Sequence, residues 1–130
     1  MQELPDPTSS SMWGLPVEID PGTAATLSIG NGDMVRVESA HGSIVAPAYV
    51  HPGAVPGVVS MAIGGGHTHY GRYASRRGAN PLSILAPLFE GSTGALVMGG
   101  TRVRLVRVGA RKGWIQFAAQ DREKREFDYR

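Results

Sequence analysis

The sequence contains no cysteine among its 130 residues. This absence excludes disulfide bonds, thiolate metal ligands and a cysteine nucleophile within the chain. The sequence also lacks an apolar run of membrane-spanning length, and Met1 is not followed by the basic and apolar regions of a signal peptide. A formal net charge of +2 is too small to indicate nucleic-acid binding by itself.

Glycine and proline, in contrast, are abundant, with 18 and 9 residues. Hydrophobic residues make up 42% and charged residues 18%, which is ordinary for a globular protein of one domain. The composition therefore favours short strands and many turns over long helices.

The two ends of the sequence differ from its middle. Residues 1–12 contain prolines and a serine run and are predicted to be a linker or leader segment. Residues 121–130 are a mixed charge run, predicted to be a charged tail. The domain is expected at residues 13–120, as a module of a longer chain.

A strand and a short helix are predicted at the start of this domain. Residues 15–19 form an apolar run, and Asp20-Pro21 supplies an N-cap oxygen followed by proline at the first helical position. Gly30 is the expected C-terminal stop, which gives a helix of about two turns. Its buried face would carry Ala24, Ala25 and Leu27.

Further strands follow along the chain. Residues 34–39 alternate between apolar and polar side chains and should pair in a hairpin with residues 43–50, a strand interrupted by Pro47. An apolar strand is expected at 58–63, a helical turn at 81–88, a strand with a bulge between Leu105 and Val106 at 101–108, and a last strand at 114–119. Five or six short strands fit a closed or nearly closed small barrel.

Residues 64–81 have neither helical nor strand periodicity. They hold five glycines, three arginines, two tyrosines and two of the four histidines. Glycine allows close backbone approach and positive φ, and arginine suits phosphate oxygens. We therefore expect this segment to lie against a large, flat, phosphate-bearing molecule.

Three segments, residues 17–39, 42–59 and 64–82, together resemble the C-terminal cofactor-binding domain of the molybdopterin oxidoreductases, the dimethyl sulfoxide reductase superfamily. The last segment, with Gly64-Gly65-Gly66-His67 and Gly78-Ala79-Asn80-Pro81-Leu82, is most similar to large subunits of polysulfide or tetrathionate reductases and of alternative complex III. The resemblance covers roughly residues 3–108.

The resemblance implies a fold and a cofactor. The fold is a mainly β domain with short helices, a double-psi β-barrel that here begins after the first strand of the family. The cofactor is bis(molybdopterin guanine dinucleotide) with molybdenum or tungsten, one of whose dinucleotides the domain caps. The metal ligand, any iron–sulfur cluster and all catalytic residues would belong to other domains or subunits.

Nine residues are candidates for cofactor binding. Asn80 matches the Asn-Pro-Leu position of the family, which resembles a pterin or pyrophosphate contact; its amide donates and accepts hydrogen bonds at once. His67 would hydrogen-bond the cofactor, and the arginines would pair with its phosphates. The candidates are Gly64, Gly65, Gly66, His67, Thr68, Tyr70, Arg72, Arg77 and Asn80.

Several of the candidates also have another interpretation. Asn80 alone would be a turn residue before proline. His67 and His69, two positions apart, could hold a metal on an extended segment, but no acidic residue lies nearby in the sequence to complete a site. The arginines could form a solvated basic loop, and the three glycines a flexible turn.

Three functions remain open at this level. The first is cofactor binding in an oxidoreductase that transfers electrons, next to the other domains of its catalytic subunit and to iron–sulfur and membrane-anchor subunits. The domain would then be soluble and belong to a membrane-associated respiratory complex on the periplasmic or cytoplasmic face. The second is a cofactor-free scaffold of the alternative complex III kind. The third and weakest is a basic barrel that binds nucleotides or nucleic acid through Trp13, Trp114, Arg102 and Arg104.

Overall fold

The structure, a computed structural model, describes residues 14–110 apart from the side chain of Tyr73. The elements are strands β1 (Val17–Ile19), β2 (Met34–Ser39), β3 (Gly42–Val50), β4 (Ser60–Met61) and β5 (Arg104–Gly109), helices α1 (Pro21–Thr26) and α2 (Gly71–Ala74), and a 3₁₀ helix (Pro81–Ile84). The prediction of a mainly β domain with short helices is confirmed. The predicted strand at 114–119 lies outside the described residues.

The five strands form one mixed sheet in the order β4-β1-β3-β2-β5. Strand β1 pairs in parallel with β3, and the other neighbours are antiparallel, including the predicted β2–β3 hairpin. The sheet is open over residues 14–110, as in a barrel-like domain whose closure is incomplete there.

The hydrophobic core packs against one face of the sheet, and every second residue of a strand points toward it. Val35 and Val37 are buried on β2, as the period-2 pattern predicts, and Val17 and Ile19 are fully buried on β1. Packed with them are small and branched side chains from neighbouring elements: Ala24, Ile29, Ala46, Ala48, Ala79 and Ile84.

Helix α1 begins as predicted but ends early. The Asp20 side chain accepts a hydrogen bond from Thr23 N at 3.0 Å. The side-chain hydrogen bond from Thr23, and after it this backbone bond, lowers the pKa of the Asp20 carboxyl. The predicted stop at Gly30 is wrong, because Leu27 is the C-cap and Ser28 adopts the left-handed conformation at φ 53°. The predicted buried face is wrong at two positions, since only Ala24 is buried in the helix.

Pro47 does not interrupt β3, contrary to the prediction. Ala48 N donates to Asp33 O on the β2 side at 2.8 Å, so the position of the missing N–H at Pro47 faces the other side. Pairing with β1 begins only at Ala48, and the proline therefore costs the sheet no hydrogen bond.

Two further strand predictions need correction. The strand expected at 58–63 is reduced to Ser60–Met61, and Val58 and Ile63 are exposed. The bulge in β5 is not between Leu105 and Val106: the register shift falls opposite Met34 and Val35, which makes Val108 the extra residue. The strand pairs with β2, whose register decides where the extra residue is placed, and the sequence of β5 alone does not contain that information.

Candidate functional site

The glycine block, Gly64-Gly65-Gly66, leads into a loop that is closed at its base by two hydrogen bonds. Gly66 N donates to Arg77 O at 2.9 Å, and Arg76 N donates to His67 O at 2.7 Å. We call residues 67–76 the closed loop. Because its ends are joined by backbone hydrogen bonds, the loop is held at a defined place next to the sheet.

Two of the three glycines are packed against the chain itself. A Cβ atom on Gly66, at φ 76°, would lie 2.4 Å from Asn80 N, and one on Gly65 would lie 2.5 Å from Leu15 Cδ1. Gly64, at φ 103°, has no atom within 4 Å of its Cβ position among the described residues. The close approach at Gly66 therefore brings Asn80 onto the base of the closed loop, and Gly64 is the glycine of the three whose Cβ position is open.

Asn80 lies between two buried neighbours, Ala79 and Pro81, and is itself exposed. Its Oδ1 accepts a hydrogen bond from Leu82 N at 3.1 Å and caps the 3₁₀ helix. This is the turn interpretation, but it uses only the oxygen. The side-chain nitrogen makes no hydrogen bond within residues 14–110 and is available as a donor to a ligand.

The interior of the closed loop is ordered by one hydroxyl group. Ser75 Oγ accepts from Tyr70 N at 2.8 Å and donates to Gly71 O at 2.8 Å, around the single turn of α2. The rings of His67 and Tyr70 stack, with centroids 4.7 Å apart and an interplanar angle of 22°. The two histidines have different neighbours, since His69 Nδ1 lies 3.1 Å from Thr68 Oγ1.

The closed loop and its base are basic. Arg72, Arg76 and Arg77 are exposed, and residues 64–81 contain no carboxylate. Away from the loop, Asp33 is paired with an arginine of β5. Arg107 Nε donates to Asp33 Oδ2 at 2.7 Å, and this hydrogen bond lowers the pKa of the Asp33 carboxyl and raises the pKa of the Arg107 guanidinium. Positive charge at the loop is therefore not neutralised by a carboxylate of the same segment.

An apolar cavity of about 920 Å³ lies on the core face of the sheet. Its walls include Val17, Ile44, Met61 and Leu105, and Arg102 is its one charged lining residue over the described part of the chain. None of the nine candidate residues lines it. These walls do not suit a pyrophosphate, so the candidate site remains at the glycine block.

The structure brings Gly65, Gly66, His67, Arg77 and Asn80 together through the loop base and the glycine contacts. It places Tyr70 on His67, whereas Thr68 and Arg72 lie on the exposed part of the loop. Across residues 14–110 no three histidine or acidic side chains cluster as metal ligands.

Sequence reasoning missed three features of this region. One is the backbone role of Arg76, whose left-handed φ of 62° and backbone bond to His67 fix it at the loop base. Another is α2, which is too short to show periodicity. The third is the His67–Tyr70 stack, for which the three-residue spacing was an available signal.

The sequence matches the family model described as molydopterin dinucleotide binding domain over residues 6–94, a range that contains every candidate residue. It is 35% identical over 91 residues to the arsenate respiratory reductase molybdopterin-containing subunit ArrA of Chrysiogenes arsenatis, covering 65% of this chain and 11% of that protein. The Shewanella sp. strain ANA-3 ArrA is 30% identical over 122 residues, 78% of this chain and 14% of the relative.

A third relative is the menaquinone reductase molybdopterin-binding-like subunit of Nitratidesulfovibrio vulgaris strain Hildenborough, 28% identical over 91 residues, 70% of this chain and 13% of that subunit. The chain thus spans only 11–14% of the length of these relatives. Within residues 14–110 there is no helix of the length and apolar character needed to cross a membrane. The family match covers well over half of the sequence, and the chain belongs to the molybdopterin dinucleotide binding domain family.

Proposed function

We propose that this chain binds the guanine dinucleotide form of the molybdopterin cofactor at the glycine block and closed loop. The observation that carries the proposal is the contact between Gly66 and Asn80, which joins the backbone turn, the basic loop and an amide donor in one place. The sites proposed for contact are Gly64, Gly65, Gly66, His67, Thr68, Tyr70, Arg72, Arg77 and Asn80.

The donors at this site fit such a group. Gly64 leaves backbone space, and the Asn80 side-chain nitrogen can donate to a pterin or guanine edge. Exposed guanidinium groups can donate to pyrophosphate oxygens, since arginine matches their geometry. The bound metal, molybdenum or tungsten, would supply the redox chemistry; the residues of this chain would orient the dinucleotide and compensate its negative charge.

We further propose that the chain acts as part of a larger catalytic subunit of an electron-transferring oxidoreductase. This chain covers only 11–14% of the length of the relatives named above, and their names describe respiratory or quinone reductases. The metal ligand and the substrate contacts would lie outside this chain. Its partners would be iron–sulfur and membrane-anchor subunits.

A cofactor-free scaffold is the second candidate function. One relative is named as a molybdopterin-binding-like subunit, and Gly65 and Gly66 already have a packing role inside the chain. A scaffold would keep these glycines for folding even without a ligand.

Metal and nucleotide content of the native protein that contains this chain distinguishes the two. Molybdenum and tungsten are quantified by mass spectrometry, and GMP by acid hydrolysis. Cofactor binding predicts stoichiometric metal with guanine nucleotide, and loss of nucleotide in the double variant His67→Ala/Asn80→Ala. Neither metal nor GMP in the folded protein would establish the scaffold, and full retention in the double variant would contradict the proposed site.

A further inference from the structure

The His67–Tyr70 pair presents an aromatic ring to solvent on a basic loop. The two rings are stacked at 4.7 Å, yet Tyr70 remains 57% exposed. A second histidine–tyrosine stack, Tyr49–His51 at 4.9 Å, offers a contrast: both of its residues are half-buried, at the end of β3. The sheet accounts for the burial of that second pair, whereas no described element covers Tyr70.

Tyr70 is held in position before any ligand arrives. Its backbone N–H donates to Ser75 Oγ, and that hydroxyl donates onward to Gly71 O, both at 2.8 Å. The loop base is closed at Gly66 and His67. These contacts hold the backbone of Tyr70, and the stack on His67 holds its ring, so the residue loses little conformational entropy on binding, which is what a stacking platform requires.

The positive charge of the loop that carries Tyr70 favours a ligand with negative charge. Arg72 and Arg76 lie exposed on the same loop, and the segment has no carboxylate to neutralise them. An exposed aromatic face on a loop that also carries guanidinium groups suits a flat heterocycle that carries phosphate, because stacking and ion pairing can then act on different parts of one molecule.

We propose that Tyr70, backed by His67, stacks on a planar ring of the dinucleotide, and that it thereby sets the affinity for the heterocycle separately from the phosphates. The inference rests on the proposed function. Guanine and pterin share a 2-amino-4-oxopyrimidine ring within their fused systems, and the stack uses only the flat face of such a system.

The test compares three variants in the native protein that contains this chain. Tyr70→Leu removes the ring, Tyr70→Phe keeps it without the hydroxyl, and Tyr49→Leu removes the other histidine–tyrosine stack as a matched control. The readout is the rate at which bound GMP-containing cofactor is released during mild unfolding, besides its stoichiometry. We expect release between about 5-fold and about 140-fold faster in Tyr70→Leu, the range of one base–aromatic stack, and near wild-type release in Tyr70→Phe.

The outcomes separate this inference from the proposed function. If the wild-type protein holds no guanine nucleotide, the proposed function fails and the inference with it. If the wild-type holds the nucleotide but Tyr70→Leu releases it at the wild-type rate, or no faster than Tyr49→Leu does, the stack is overturned and the proposed function stands.

A second arm identifies the ring. The full chain and its Tyr70→Leu variant are titrated with GMP and, separately, with 6-hydroxymethylpterin. Weaker binding of GMP assigns the platform to guanine, and weaker binding of the pterin assigns it to pterin. Equal binding of both probes by the variant and the wild-type chain would overturn the inference.

Discussion

Gly66 illustrates how one residue connects folding with the candidate site. Its backbone φ of 76° is one that residues with a side chain rarely adopt, and the Asn80 backbone packs into the space that a Cβ atom would fill. The closed loop and the cap of the 3₁₀ helix therefore meet at a point where only hydrogen fits.

Replacing Gly66 with alanine should lower the free energy of unfolding by about 2–4 kcal/mol, since left-handed strain adds to overlap with Asn80 N. Urea unfolding measures the change. Gly91→Ala is the control, because no described atom lies within 4 Å of its Cβ position; a change within about 0.5 kcal/mol is expected there. Equal effects of the two substitutions would contradict the packing role of Gly66.

Asn80→Asp should separate capping from ligand binding. The new carboxylate can still accept from Leu82 N, so stability should stay within about 0.5 kcal/mol of wild type. The variant loses the amide donor and gains a negative charge, and the native protein should therefore retain less guanine nucleotide. Asn31→Asp is the matched control, since Asn31 Oδ1 likewise accepts a backbone hydrogen bond, from Val50 N, away from the loop. Unchanged nucleotide content in Asn80→Asp would argue against a contact from the amide.

At the scale of elements, the contact between Asp33 and Arg107 fastens the start of β2 to the bulged strand β5. Asp33 also accepts from Gly30 N at 2.8 Å, so one carboxylate ties the turn before β2 to the neighbouring strand. The hydrogen bond from Arg107 has the largest effect on Asp33, followed by the one from Gly30 N, and together they hold the pKa of the Asp33 carboxyl below its ordinary value.

The lowered pKa gives a pH dependence with a defined sign. Ionised Asp33 stabilises the fold above its ordinary pKa of 3.8, and this contribution is lost as the pH falls toward the lower pKa of the folded state. Asp33→Asn should therefore be less stable than wild type at neutral pH, with the difference shrinking below about pH 4. Chemical denaturation at several pH values measures it. Adding Arg107→Leu should cost little more if the pair is the cause, and additive losses would refute the coupling.

The elements differ in how far the sequence alone predicts them. Strand β2 and its hairpin follow from alternation at Val35 and Val37, a local signal that burial of one sheet face enforces. The bulge at Val108 does not, because it depends on the register of the neighbouring strand β2. The end of α1 does not either, because the left-handed residue after its C-cap is Ser28, whereas glycine is the usual sequence signal there. In the site, composition indicated the glycine block and the family resemblance indicated Asn80, whereas the stack of His67 on Tyr70 and the closure at Arg76 needed coordinates.

At the scale of the molecule, the sheet and the loop have separate tasks. The apolar cavity and the core lie on the sheet, and the polar donors lie on the closed loop and the cap that follows it. A ligand at the loop should thus protect the loop and leave the sheet largely unaffected.

Limited trypsin digestion of the native protein tests this separation. Cleavage after Arg72 and Arg76, both exposed, should be slow while the cofactor is bound and at least several-fold faster after it has been removed, because local opening then has no ligand to oppose it. Arg102, which lines the apolar cavity, serves as the internal reference. Equal acceleration at all three arginines would indicate general unfolding instead of a site at the loop.

The two hydrogen bonds at the base of the closed loop also bear on how the domain can diversify. Since residues 66 and 77 are already joined, and 67 and 76 likewise, the stretch between them can be exchanged for another of similar span without altering the strands. The closed loop can therefore change in sequence while the sheet stays the same. Related domains could gain, alter or lose ligand binding through changes in about ten loop residues, while the glycines at the loop base stay the same because folding requires them.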